Sequence, residues 1–409
     1  MDRILILDGN ARCALAVVRS LGRLDVELGV AASSRHALAW SSRFAHRRFA
    51  CPDPAREGEA FQDWLQSTVD SWKPHMLLPL TDVSLERTLE LETWLRARTA
   101  LPFVEAETVA RISDKAELVA AARNLGVRTP RTLEIPPRGS RDPDLDLAIE
   151  DFSYPAVLKT ARTQSMEDGC AVRHPVYYPD SAEAVRQLID SGKFSRQSTL
   201  LQQRIEGPGV GVFATCVNGR AVCHFAHRRL LEKPPSGGVS VLSQSLSLER
   251  APIADADRLL AHFRWQGVAM VEFKQHTDGR YYLMEINPRF WGTLQLAIDS
   301  GRDFPVLLYR LFRSGDPLQG EKLERLIDEL PQVQSGRRLR WFLGTVDHLL
   351  LRMRSGPWAA LRKIVFRNDL SLLRYPFATR LEVLRLSDPG PFWAELRAWF
   401  AALGHRGAV

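Results

Sequence analysis

The stretch Gly267-Val-Ala-Met-Val-Glu-Phe-Lys-Gln-His-Thr-Asp-Gly-Arg-Tyr-Tyr-Leu-Met-Glu-Ile-Asn-Pro-Arg289 decides the fold of this 409-residue chain. Two β-type runs flank Asp278-Gly279, and Asp-Gly between such runs predicts a two-residue hairpin turn. With Thr277 facing Arg280, counting outward sets Glu272 opposite Glu285. Directly opposed residues on one sheet face have Cβ atoms roughly 4.5–5.5 Å apart, and like charges there repel. The pairing therefore implies a cation between the two carboxylates. Strand alternation puts Asn287 on the face of Glu285, with Arg289 following Pro288 on the same side. Two carboxylates, an amide oxygen and a guanidinium suit a hard divalent ion and a polyphosphate; Mg2+ fits such oxygen ligands, with Mn2+ as the alternative ion. The plainer reading, an amphipathic hairpin with a solvated polar face, does not account for the continuation Asn287-Pro-Arg-Phe-Trp-Gly292.

Composition sets outer limits. The length implies two or three domains. A 45% hydrophobic and 25% charged chain has ordinary globular composition, not that of a disordered one. Its five cysteines (Cys13, Cys51, Cys170, Cys216, Cys223) show neither CxxC nor zinc spacing, which favours a reducing compartment. The apolar run after Met1 is short for a signal peptide and no 18-residue apolar segment occurs, so a cytoplasmic protein is expected. The net charge of +7 is uneven: residues 337–409 hold 13 of the 55 Lys/Arg and 5 of the 48 Asp/Glu, leaving the first 336 residues nearly neutral. The basic tail alone does not make a nucleic-acid binder.

Strands at residues 3–7, 26–30 and 76–80 alternate with helical segments, which indicates a parallel sheet with crossovers. Ligands in such sheets lie beyond the strand C-termini, so Asp8–Arg12 and Thr81–Asp82 mark the functional edge. No GxGxxG follows the first strand, and Asp82 reads as either a substrate contact or a helix N-cap. Ser113-Asp-Lys115 opens a helix to Asn124, stopped at Gly126. Residues 136–146 read as a polar, proline-rich loop. Tyr154-Pro-Ala-Val-Leu-Lys159 is a strand closing on a lysine that would otherwise snorkel. The polar segment Thr160–Ala171 is expected to be a mobile loop. Residues 181–191 are helical, Thr199–Gln203 is a strand, and Asn218-Gly219 is the turn of a further hairpin.

Taken in order, Ser-Asp-Lys115, Tyr-Pro-Ala-Val-Leu-Lys159, Leu-Gln-Gln-Arg-Ile-Glu-Gly207, His-Arg-Arg229 with Lys-Pro-Pro-Ser-Gly-Gly238, and Met-Val-Glu272 with Met-Glu285-Ile-Asn287-Pro-Arg289 make residues 1–312 resemble the ATP-grasp superfamily. Within it the chain looks most like biotin-carboxylase-like ligases and carboxylate–amine ligases. The resemblance implies a mixed α/β and α+β architecture: a Rossmann-like parallel-sheet pre-ATP-grasp domain over residues 1–105, a two-lobed ATP-grasp domain over 106–315 (lobes about 106–198 and 199–315), and a basic helical C-terminal extension over 316–409. It also implies that Lys115 and Lys159 grip ATP phosphates, as compact charges on flexible stems do. Residues 161–171 match the flap over the phosphates, here with one glycine (Gly169) and an acidic Glu167-Asp168. Gln203 stands where the family carries a glutamate near the adenine amino group, with Arg204 and Ile205 supplying backbone contacts to the base.

By the same resemblance Arg229 sits at the γ-phosphate with His227 beside it, Glu272, Glu285 and Asn287 hold the metal, and Arg289 neutralises the transferring phosphoryl group. Ser236, Gly237 and Gly238 are candidates for a substrate loop whose N–H groups approach an anion, against a simple turn. The implied reaction is ADP-forming: a carboxylate attacks the γ-phosphate, and an amine displaces phosphate from the acyl phosphate to give an amide. Phosphoryl transfer asks mainly for positioning and charge compensation. Small-molecule acid and amine partners are expected, without nucleic acid, and a homodimer is compatible. Two alternatives stand beside this reading, a biotin- or bicarbonate-dependent carboxylase and a nucleotide-binding scaffold without turnover. In the tail, Leu339, Phe342, Leu343, Val346, Leu349 and Leu350 recur at helical spacing, with tryptophans at 341, 358, 393 and 399 among arginines. That pattern reads as a packed helical subdomain with a basic rim; contact with a membrane surface is the alternative.

Overall fold

A computed structural model of the chain describes residues 1–137, 143–167, 170–194, 198–235, 237–354 and 379–406. Asp168, Gly169, Ser236 and Trp358 lie outside them. The first four strands are β1 (Asp2–Ile6), β2 (Val26–Ala32), β3 (Arg47–Ala50) and β4 (Met76–Leu78), in a parallel sheet of order β3-β2-β1-β4. Parallel strands are covered on both faces, and β1 shows how. Ile4 and Ile6 pack into the core beneath the helix Arg12–Leu21, while Leu5 joins Phe61, Leu65 and Trp72 of the helix Gly58–Trp72 on the other side.

A second, antiparallel unit contains β5 (Thr132–Ile135), β6 (Ala156–Thr160) and β9 (Thr199–Gln203) in the order β5-β9-β6. Helices Pro143–Glu150 and Ala182–Asp190 lie in the same stretch of chain. Pro143 opens the first of these, so the expected loop over 136–146 gives way to a helix at its end; proline is pre-organised for a first helical turn. The polar segment expected to be a mobile loop is instead a β-hairpin, β7 (Gln164–Glu167) paired with β8 (Cys170–Arg173). Its side chains are too polar for an apolar period to reveal it. The hairpin rests on the segment that carries the parallel sheet: Ala171 N–H donates to Ala55 O at 2.7 Å, and Gln164 Nε2 donates to Glu86 Oε2 at 3.2 Å.

The third unit is a seven-stranded sheet built from β10 (Gly209–Val217), β11 (Arg220–Lys233), β12 (Val239–Ser245), β13 (Gly267–Gln275), β14 (Tyr281–Asn287), β15 (Arg338–Arg340) and β16 (Thr379–Leu381), in the order β14-β13-β10-β11-β12-β15-β16. Asn218 and Gly219 both have positive φ (52° and 82°), as the two-residue turn between β10 and β11 requires. The C-terminal extension contributes β15 and β16 to this sheet as well as the helices Phe342–Arg354 and Gly390–Arg406. One continuous apolar core runs from Ile4 and Val18 through Phe213, Trp265 and Trp291 to Leu339 and Val383, so the parallel sheet, the large sheet and the C-terminal stretch pack together.

The β13–β14 turn differs from the expected one. His276 N–H donates to Arg280 O and Gly279 N–H to His276 O, so the loop has three residues, with Gly279 at φ +86°. Gln275 consequently pairs with Tyr281, one residue out of the expected register. A bulge at Met284 then inserts one extra residue, and beyond it Glu272 pairs with Glu285. The bulge also puts Leu283 and Ile286, three apart, both in the core.

Candidate active site

Direct pairing places residues on one face, and the row across the large sheet runs Glu285, Glu272, Gly211, His227, Ser245. The two carboxylates are therefore neighbours on adjacent strands, facing Lys115 and Lys159. Asp114 caps the helix Lys115–Asn124 by accepting from Ala116 N–H at 2.9 Å, and Lys115 N–H donates to Ala161 O at 3.0 Å, fixing the helix start to the end of β6. Lys115 Nζ then reaches Thr163 Oγ1 at 2.5 Å at the base of the β7–β8 hairpin.

The electrostatics bind these four groups together. Burial pushes the Lys159 ammonium down to about 8, with Lys115 acting the same way and Glu285 and Glu272 opposing. Lys115 is likewise lowered by burial, against the pull of Glu285. Burial acts to raise Glu285, but Lys115, the Asn287 amide and Lys159 together hold its carboxyl below the ordinary range. Glu272 goes the other way, raised by burial and by Glu285 in spite of Arg229. Two lysines thus converge on two carboxylates in a partly dehydrated cleft.

Glycine makes the next contact possible. Arg229 stands on β11 and Glu272 on β13, with β10 between them. Gly209, on the intervening strand, has no side chain, and a Cβ there would lie 3.1 Å from Arg229 Cδ. Over this gap Arg229 Nη2 donates to Glu272, while its Nη1 donates to Glu232 Oε1 at 3.2 Å. These carboxylates hold Arg229 protonated above the ordinary guanidinium range although burial opposes it.

Asn287 bridges two members of the set: its Nδ2 donates to Glu285 Oε1 at 3.1 Å, and its Oδ1 accepts from Arg289 Nη2 at 3.2 Å. Arg289 also holds Asp82, the first residue of the helix Asp82–Leu89. Asp8, expected at the functional edge, does not reach the cleft as a ligand. Its carboxylate accepts from Leu80 N–H, Thr81 N–H and Ser84 Oγ, tying the end of β1 to the cap of the helix that presents Asp82.

Three expectations change. Gln203 pairs with Ala156 and so lies on the face of Leu158 and Leu201, opposite to Lys159; its exposed side chain accepts from Arg131 N–H at 3.4 Å. Gln202, paired with Val157, shares the Lys159 face and is buried, its Nε2 donating to Thr132 Oγ1 at 3.0 Å. His227 is 1% exposed under Phe213 and Thr293, and burial drives it down to about 3, so it is a neutral, core-packed histidine. Gly237 N–H closes a turn onto Pro234 O, and the adjoining Gly238 offers its carbonyl, not an N–H, to Arg229 Nη1 at 3.5 Å. The turn therefore borders the cleft as an acceptor.

Ile205 is buried, and its carbonyl accepts from Lys274 Nζ at 3.3 Å. Lys274 went unnoticed in the sequence; its position two residues beyond Glu272 on the same strand face was the available signal. Arg204 is exposed and lies over the Tyr178 ring. A shallow groove of about 470 Å³ lined by Arg228, Arg250 and Tyr281 contains none of these groups.

The donor set fits a hard cation: Glu272, Glu285 and the Asn287 oxygen are all oxygen ligands, and like charges oppose one another. Among the described residues no three His, Cys, Asp or Glu side chains converge, so non-protein oxygens would complete the shell.

The fold recurs in known proteins. Residues 195–328 match a family model described as ATP-grasp in the biosynthetic pathway with Ter operon. No curated protein matches by sequence. Among solved structures, the chain is similar to an L-amino acid ligase from Bacillus licheniformis, at 17% identity and a TM-score of 0.60, with 83% of this chain and 78% of that one covered. It is also similar to an N5-carboxyaminoimidazole synthetase from Staphylococcus aureus, at 13% identity and a TM-score of 0.58 over 78% of each chain. A third similar structure is the biotin carboxylase domain of the Hydrogenobacter thermophilus 2-oxoglutarate carboxylase, in complex with MgADP and bicarbonate. It shares 13% identity at a TM-score of 0.61, with 82% and 73% covered.

Proposed function

We infer from the ATP-grasp fold of this chain that it is an ATP-dependent, ADP-forming carboxylate–amine ligase. The observation that carries the reading is the pairing of Glu272 with Glu285 across β13 and β14, facing Lys115 and Lys159. Glu272, Glu285 and Asn287 would hold Mg2+, which supplies charge neutralisation at the phosphates when bound. Lys115 and Lys159 bind phosphate oxygens, and Arg229 and Arg289 compensate the charge that develops as the phosphoryl group moves to the carboxylate. Gln202, with the backbone of Arg204 and Ile205, lies at the adenine end. The β7–β8 hairpin covers the phosphates and keeps water from the acyl phosphate. Domain limits near residues 105 and 315 belong to the same reading.

The reaction needs no nucleophilic side chain: the carboxylate oxygen attacks the γ-phosphorus, ADP leaves, and the amine nitrogen then displaces phosphate at the acyl carbon. Five free cysteines support a reducing, cytoplasmic setting, and no helix among the described residues is long and apolar enough to cross a membrane. Small-molecule acids and amines are the proposed partners. ADP release against pooled acids, with hydroxylamine or pooled amines as nucleophile, tests the assignment. Turnover that needs bicarbonate in place of an acid and amine, or none at all, would overturn it.

A further inference from the structure

The C-terminal extension brings a second set of charged groups against the start of the first helix. Arg12 lies flat over Trp341, its guanidinium carbon 3.9 Å from the ring centre, and pairs through Nη1 with Glu382. Trp341 is itself held firmly. Its indole N–H donates to Glu395 Oε1 at 2.7 Å, its backbone N–H donates to Val241 O at 2.9 Å, and Lys233 Nζ lies 5.3 Å from the ring centre. Gly344 lets the ring lie against the helix Phe342–Arg354, since a Cβ there would be 2.1 Å from Cε3.

This arrangement occupies the face of the Arg12 guanidinium and leaves its edge available. Stacking on an aromatic ring holds the cation without consuming N–H donors. Arginine carries five such donors, and only Nη1 has a protein partner among the described residues. Nη2 points at Gly292, 3.3 Å from where a Cβ would stand, three residues beyond Arg289. Glu382 is 5% exposed, and its Oε1 is buried without a hydrogen-bond partner among the described residues. A spare donor fork and a spare buried acceptor thus lie side by side next to the segment that carries Arg289.

We propose that Arg12, held on Trp341 by the C-terminal extension, determines specificity by reading a carboxylate carried by the amine substrate. The acceptor is then amino-acid-like and not a simple amine. The guanidinium fork matches a carboxylate through two parallel hydrogen bonds, and the bare Gly292 keeps the approach open. The proposal rests on the ligase reading above.

The test compares the full-length enzyme with Arg12→Met and Arg12→Lys. ADP release is followed with ATP, Mg2+ and pooled carboxylic acids, using amino acids, the corresponding amino-acid amides, or hydroxylamine as nucleophile. The unsubstituted enzyme is expected to prefer acids over amides by roughly 10²-fold in kcat/KM, as a site built for a polar group rejects an analogue lacking it. Arg12→Met is expected to collapse that ratio to within about threefold, through KM and not kcat, while Arg12→Lys keeps part of it. The ratio cancels any general loss of activity. ADP release with hydroxylamine but no acid-over-amide preference, or a ratio unchanged by Arg12→Met, would overturn the proposal alone. No hydroxylamine-dependent release in the unsubstituted enzyme would remove the ligase reading, and this proposal with it.

Discussion

Arg289 and Asp82 meet through two parallel hydrogen bonds, Nε to Oδ1 and Nη2 to Oδ2, each 2.8 Å. A carboxylate in this fork takes the geometry that a substrate carboxylate or a phosphoryl oxygen would take. The Asp82 side chain is 48% exposed, so the pair contributes no more than about 1 kcal/mol and is readily exchanged. Asp82→Asn is expected to lower KM for the carboxylate substrate several-fold while changing stability by less than about 1 kcal/mol. Initial-rate kinetics with the acid varied at saturating ATP check this; a raised KM would make Asp82 a substrate ligand instead.

The passage of Arg229 over Gly209 gives a second expectation. Gly209→Val puts a branched side chain into the 3.1 Å gap beneath Arg229 Cδ and lifts the guanidinium away from Glu272. Loss of one such charge contact lowers kcat by about 10²–10³-fold. Circular dichroism should show the sheet unchanged, and a variant with normal kcat would remove Arg229 from the phosphoryl-transfer step.

Glu285→Gln keeps the shape of the side chain and removes the charge that faces Lys115 and Lys159. Mg2+-dependent ADP formation is expected to fall by at least roughly 10²-fold, with the fold retained. Titration with Mg2+ at fixed ATP separates weakened metal binding from slowed chemistry. Near-normal turnover would falsify the metal assignment.

The pH dependence follows from Lys159, whose ammonium is pushed down to about 8 by burial and by Lys115. An unfolded lysine titrates near about 10.4. Between these values the unfolded chain binds the proton more tightly, so the ligand-free protein gains stability as pH rises through that window and carries the full cost below about 8. Nucleotide binding runs the opposite way, because phosphate needs the ammonium. KM for ATP is expected to rise above about pH 8 and to lose that dependence in Lys159→Arg, whose guanidinium stays charged. A flat pH profile in the unsubstituted enzyme would contradict the role of Lys159.

Arg19 is buried on the first helix, where its Nε donates to Asp388 Oδ2 at 2.8 Å and its Nη2 to Val383 O at 2.8 Å. Ser42 Oγ and Arg43 N–H also donate to Asp388. Removing one member of a buried, hydrogen-bonded ion pair leaves the other charge uncompensated and costs about 3–5 kcal/mol. Asp388→Ala should show a loss of that order in urea denaturation, and a loss under about 1 kcal/mol would mean that water replaces the carboxylate.

The hairpin that identifies the site was legible for an instructive reason. A two-residue turn at Asp278-Gly279 sets Glu272 against Glu285, whereas the chain uses a three-residue turn and regains the register through the bulge at Met284. The two one-residue departures cancel, and nothing in the side chains of Leu283-Met284-Glu285 announces the second. The face on which Gln203 lies was not legible because Leu200-Leu201-Gln202-Gln203 carries no alternation to set the phase; pairing of Gln203 with Ala156 sets it. His227 reads as polar and free in the sequence, but it is buried against Phe213 and Thr293, residues distant in the chain. The flap hairpin and β15–β16 were hidden for the same reason: short strands held by partners, not by their own apolar period.

The addition of β15 and β16 to the far edge of the large sheet bears on how the molecule comes into being. The first helix is made early in synthesis, but the carboxylates that answer its Arg12 and Arg19 are Glu382 and Asp388. Until the ribosome has passed those positions, two cations and the β15 edge stand without their counterparts, and an open edge invites strand pairing with another chain. A polypeptide released before residue 379 would hold both Lys115 and Lys159 and still lack the carboxylate that pairs with Arg12.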